Sequence, residues 1–186
     1  MAENQVELVG EMPKAGLGEK IVSVPRLRRT VVIAVDHSQN SAQSIAWAAK
    51  NFLKADSDHV ILLHVKPEET VPIVVKAAYT LPSEEFKSQS LHNIQAAEEL
   101  LEKYANELRE LAGPVEIQQM IRESDDPKHE ICKLVKEQNA AALIIASRGL
   151  SNVKRLLLGS VADHCVHHVH CTVIVPKTKK LEWKKE

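Results

Sequence analysis

Aromatic side chains are scarce in this chain, making up 3% of its 186 residues. Sheets that bind single-stranded RNA stack bases on exposed aromatics, so that kind of partner has almost nothing to hold. A surplus of charge is missing as well. The 24 basic and 25 acidic residues leave a formal net charge of −1, and no global basic field draws the chain to nucleic acid. Cysteine is sparse and odd in number: Cys132, Cys165 and Cys171 have no framework spacing, which argues against a secreted, disulfide-built domain. No apolar run approaches the ~20 residues of a membrane-spanning helix. The opening MAENQVELVGEMPKAGLGEK has no apolar core and is partly acidic, unlike a signal or transit peptide. These absences point to a cytoplasmic protein with no nucleic acid and no membrane among its partners.

What is present is alternation. Residues 1–27 carry Gly, Pro and mixed charge without periodicity, and are expected to form a mobile arm. A buried strand follows over Thr30 to Val35, ending at Asp36. Ser41 is a candidate cap for a helix running to about Lys54, with Ile45, Ala48, Ala49, Phe52 and Leu53 on one face. HVILLHV, His59 to Val65, reads as a second strand. Pro67, Pro72 and Pro82 make the next stretch an irregular excursion. From about Ser83 to Leu111 a helical stripe runs through Ile94, Ala97, Leu101, Tyr104, Leu108 and Leu111, and Gly113-Pro114 stops it. VEIQQMI is a third strand, placed near an edge by its polar middle. A short helix follows with Pro127 at its first position, capped by Ser124, Asp125 or Asp126. AALIIAS, SVADHCVHHVH and CTVIVP give strand, helix and strand. A basic tail occupies residues 178–186.

Apolar strands alternating with helices define a parallel sheet covered on both faces. The expected fold is therefore α/β, a doubly wound five-stranded parallel sheet with one domain over residues 28–177. Ligands of such sheets bind beyond the carboxyl ends of the strands, where the strand order reverses. Asp36 stands just past the first strand. The segment ASRGLSNVKRLLLGSV, Ala146 to Val161, stands just past the fourth. Gly149 allows close backbone approach to a ligand. Gly159 and Ser160 open the last helix, whose free N–H groups and dipole suit a phosphate. Lys154 and Arg155 add positive charge, and Asp36 is placed to accept from ribose hydroxyls or to help place a metal. Neither GxxxxGK[ST] nor GxGxxG is present. By spacing alone, two glycines ten apart fit a ligand site and a plain loop about equally.

Taken together, VVIAVDHSQNSAQSIAWA, VILLHVKP, DDPKHEI, SRGLSNVKRLLLGSVADHCV and CTVIVP resemble the universal stress protein family from about Arg29 to Lys177. The family's nucleotide motif is Gly, two residues, Gly, nine residues, Gly, then Ser or Thr. It matches at Gly149, Gly159 and Ser160 and departs at Ala146. The resemblance implies a fold like that of adenine nucleotide alpha hydrolases and a homodimer formed through the last strand, Thr172 to Val175. It implies an adenine nucleotide as partner, with ATP and Mg²⁺ or Mn²⁺ as the bound group. Asp36 would sit by the nucleoside, and Ala34, Val35 and Val65 would line the adenine pocket. Ala146, Ser147, Arg148 and Gly149 would wrap ribose and phosphates, while Gly159, Ser160 and Val161 would hold the phosphate tail. One branch of the family lacks the motif and binds no ATP, so Ala146 keeps open a second expectation, a protein that acts by dimerisation and protein contacts.

Other clusters have plainer explanations. His164, Cys165, His167, His168, His170 and Cys171 are dense enough for a metal, and His164 and His168 share a helix face. Structural zinc, however, usually draws its ligands from two segments. A buried stripe of Val161, Cys165 and Val169 or His168, with the other histidines outside, is the expected arrangement. Cys132 reads as a small core residue. No Ser/His/Asp triad is legible and no nucleophile elbow surrounds Ser147 or Ser160. His37 is the one candidate base for a slow hydrolysis of bound nucleotide, and the chain is not assigned as an enzyme.

Overall fold

The computed structural model describes residues 28–69, 84–147 and 158–177, with the side chains of 84–87 excepted. The expected arm and tail, the excursion after Glu69, and Arg148, Gly149, Lys154 and Arg155 lie outside the described residues. Among the described residues, strands β1 (Arg29–Ala34), β2 (Asp58–Lys66), β3 (Glu116–Glu123), β4 (Ala142–Ile145) and β5 (Thr172–Ile174) alternate with four helices. These are α1 (Gln39–Asn51), α2 (Glu84–Ala112), α3 (Pro127–Glu137) and α4 (Ser160–His168). The sheet is parallel throughout, in the order β3-β2-β1-β4-β5. The polar strand β3 lies at one edge, as its sequence requires. Strand order reverses between β1 and β4, which pair directly.

Period-two alternation divides the core. Val31, Ile33, Val60, Leu62, Ala142 and Ile144 face one side, with Ile45 and Ala48 of α1 and Leu101, Tyr104 and Leu108 of α2. Val32, Ala34, Ile61, Leu63, Leu143 and Ile145 face the other, with Ile131, Leu134 and Val135 of α3 and Ala162 and Cys165 of α4. Every second residue of a central strand is thus claimed by a different helical layer, which is why these strands are apolar without interruption. At the opposite end of β1, the Arg29 guanidinium grips the buried Asp58 carboxylate twice, at 2.9 and 2.8 Å. Asp58 also accepts from the Lys54 N–H at 2.8 Å, closing the α1–β2 turn.

Several local expectations change. The cap of α1 is Ser38 rather than Ser41, because Ser41 is drawn into the turn at Asp36. Helix α1 ends at Asn51, which leaves Phe52 and Leu53 half-buried at its exit. On α2, Leu111 is exposed and Leu100 and Ala105 join the core instead; the helix is stopped by Gly113 at φ +81°, a left-handed turn that favours glycine. On α4, Ala162 and Cys165 are buried, Val161 and Val169 half-buried, and His168 exposed. Strand β5 has only three residues, Thr172–Ile174, so Val175 lies past its end.

Candidate functional site

In a parallel sheet every strand delivers its helix N-terminus to the same end. Here three of them meet over the junction of β1 and β4. The crevice takes Ser38 and Ser41 from the start of α1, Pro127 from the start of α3, and Gly159, Ser160 and Val161 from the start of α4. Each helix start leaves N–H groups without intrahelical partners and carries the positive end of a dipole. The floor is apolar, built from Ala34, Val35, Leu63, Val65, Ile131 and Ile145, with Ala146 and Ala162 completing it. Among the described residues that line it, Asp36 is the single charged one. The described walls enclose about 140 Å³. Pockets for whole small molecules run to roughly 300–1,000 Å³, so this part seats one portion of a ligand.

Asp36 is held in a fixed pose. Its Oδ1 accepts from the Ser38 N–H at 3.0 Å and the Ser41 hydroxyl at 2.6 Å. Its own N–H donates to Ser41 Oγ at 3.0 Å, and its carbonyl accepts from the Tyr104 hydroxyl at 3.3 Å. Burial, and then the charge of Asp36, pushes the Tyr104 phenol above its usual range, so that hydroxyl remains a donor. Gly159 caps α4 with φ −65° and ψ 150° and supplies no side chain. Its carbonyl takes the first intrahelical bond, from Asp163 N–H at 2.8 Å. Asn139 is the only non-glycine residue at positive φ among the described residues. Ala146 therefore has an ordinary backbone, and a methyl group at that motif position carries no conformational strain.

Of the sequence-derived site residues, Ala34, Val35, Asp36, Val65, Ala146, Gly159, Ser160 and Val161 are brought together around the crevice. Ser147 is described but does not line it, and Arg148 and Gly149 lie outside the described residues. His37 is exposed and is not among the lining residues; its ring stands edge-on to that of His64, 5.5 Å away. Pro127 and Ile131 were missed, although a proline opening a helix after a strand is a legible signal for this end of the sheet. Asp125, a candidate cap, instead accepts from the Glu68 N–H at 3.1 Å. Asp126 takes the cap position without a side-chain cap bond. Cys132 is half-buried, 3.9 Å from the Cys165 sulfur. Burial pushes the Cys165 thiol up to about 12 and raises Cys132 as well, which leaves both as poor nucleophiles.

A doubly wound sheet that gathers helix N-termini and one carboxylate over its switch point defines an α/β protein with an anion-receptive crevice. The chain belongs to the universal stress protein family, whose model matches residues 28–177. It is 29% identical over 158 residues to universal stress protein PHOS32 of Arabidopsis thaliana, a match covering 80% of this chain and 64% of that protein. The chain thus spans slightly less than two thirds of this relative. Among solved structures, the universal stress protein UspA from Lactobacillus plantarum superimposes with a TM-score of 0.58 at 19% identity, over 81% of this chain and 99% of that one. The universal stress protein of Archaeoglobus fulgidus in complex with dAMP gives a TM-score of 0.55 at 20% identity, over 81% and 99%. Among the described residues, no helix is long and apolar enough to cross a membrane.

Proposed function

We propose that this chain is a stress-associated cytoplasmic regulator that holds an adenine nucleotide, ATP with Mg²⁺ or Mn²⁺, in the β1–β4 crevice. The observation that carries it is the start of α4. Gly159 brings no side chain, and the first residues of the helix line a cavity whose floor is apolar and where Asp36 is the only charged residue among the described ones. The apolar floor suits a base, Asp36 suits sugar hydroxyls, and the helix start suits phosphate. A solved relative carries dAMP, which supports the choice of an adenine nucleotide. Mg²⁺ is usually held by phosphates and one or two carboxylates. Asp36 is the one carboxylate among the described lining residues, and its Oδ1 is already engaged, so the metal would travel mainly on the phosphates.

Ala146 favours a second reading, a family member that has lost nucleotide and acts by dimerisation through the edge from Thr172 to Val175. Calorimetry separates the two. Wild-type protein is expected to release heat with ATP and Mg²⁺ below millimolar concentration. Because Ala146 is unstrained, Ala146→Gly should alter affinity by less than about tenfold. Silence from the wild type with binding restored in Ala146→Gly would establish the second reading.

A further inference from the structure

A column of three imidazoles lies beside the crevice, on the wall formed by α3 and α4. His129 sits in the first turn of α3, close to Pro127; His164 and His168 follow Ser160 at successive turns of α4. The His129 and His164 rings meet edge-on, with centroids 4.6 Å apart and planes at 73°. His164 and His168 lie nearly parallel, 3.9 Å apart at 10°. Parallel stacked rings point their lone pairs side by side rather than at one centre. Among the described residues, no group of three His, Cys, Asp or Glu is placed to hold a metal ion. The column works as packing.

A proton on its middle member would undo that packing. The Nε2 of His164 is buried and has no hydrogen-bond partner among the described residues. Whichever nitrogen holds the hydrogen in the neutral ring, the charged ring carries both. The charged ring must therefore hold an N–H at the buried Nε2, for which no acceptor stands among the described residues. The neighbours do not help. The His168 Nδ1–H donates to the His164 carbonyl at 2.7 Å. Asp126 is committed to the Nδ1 of His129 at 2.5 Å, a bond that holds its carboxyl below the usual range. Lys128 adds a positive charge from α3. Asp163 and His167 face each other at 3.8 Å on an exposed part of α4. Burial first, then His168, His129 and Lys128, hold His164 below its usual pKa of 6.5, with Asp126 opposing.

We propose that the His129–His164–His168 column is an acid-sensitive clasp that joins α3 to α4 while His164 is neutral and loosens the crevice wall when His164 is charged. The sign follows from linkage. A histidine whose folded pKa is depressed is protonated first in the open state. The contact is fully present above the unfolded value of 6.5 and weakens as pH falls below it. Both helices line the crevice, through Pro127 and Ile131 on one side and Ser160 to Ala162 on the other, so a ligand there would be released by acid. Only that last step rests on the nucleotide reading.

Hydrogen exchange on the full chain without nucleotide tests the clasp itself, at about pH 7.5 and about pH 5.5 after correction for intrinsic rates. Peptides of α3 and α4 should lose roughly tenfold in protection on acidification relative to α1, and His164→Leu should remove most of that loss. His129→Gln, at an exposed position, should reduce it while keeping the fold. An equal loss in α1, or a loss unchanged in both variants, would overturn the proposal.

Discussion

Gly159→Val is expected to weaken ATP binding on the order of a hundredfold, close to 3 kcal/mol. Gly159, Ser160 and Val161 at the start of α4 line the crevice, and residue 159 brings no side chain to that entrance. A hydrogen bond to a charged acceptor contributes about 1.5–3 kcal/mol, and a β-branched side chain at this entrance would deny the phosphate one or two of them. The fold should survive. Gly159 has φ −65° and ψ 150°, which any L residue adopts, and the cap it replaces makes no side-chain bond. The lost affinity therefore reads as a blocked seat when circular dichroism is unchanged. Glu110→Gln, exposed on α2, should bind as the wild type does. Equal affinity in Gly159→Val and wild type would remove the α4 terminus from the site.

Ile33→Ala should carry the largest cost to stability, about 3–5 kcal/mol. Ile33 is fully buried near the carboxyl end of β1, between Leu62 of β2 and Ile144 of β4. It faces the layer under α1 and α2, where neighbouring strands are held by ladder hydrogen bonds on both sides and cannot close over a void. With a total of roughly 5–15 kcal/mol to draw on, a domain loses much of its margin to such a change. In urea the midpoint should fall sharply with an unchanged slope. Leu91→Ala, at a side chain 61% exposed, should stay within about 0.5 kcal/mol of wild type. Equal losses in the two variants would mean that the central strand does not carry the core.

The sheet was legible because its signal is local. Uninterrupted apolar runs at Val31 to Val35, Val60 to Leu63 and Ala142 to Ile145 leave few structures other than strands buried on both faces. The polar middle of β3 announced its place at the edge. From there the crevice followed by topology: once β1 and β4 are neighbours, Asp36, Ala146 and Gly159 must converge. Details set by competition between side chains were not legible. Ser38 and Ser41 both have the chemistry of a cap, and only the position of the Asp36 carboxylate assigns one to the helix and the other to the turn. The same holds for Asp125 and Asp126, which differ in what lies opposite rather than in type. Leu111 kept helical spacing but is exposed, while Ala112 beside it packs against the core. The histidine column was visible as a run of His on α4, yet its third member, His129, comes from another helix. No spacing rule within one segment reaches it.

The central claim is that main-chain amides at the start of α4 receive the phosphates of a nucleotide whose base lies on the apolar floor beside Asp36. Titrating ¹⁵N-labelled protein with Mg-ATP tests this most directly. The account predicts saturable shifts of the amide resonances of Ser160, Val161 and Ala162, together with those of Val35 and Asp36, while the β3 edge stays still. Saturable shifts confined to the β3 edge or the exposed face of α2, with Ser160 to Ala162 unmoved, would contradict it.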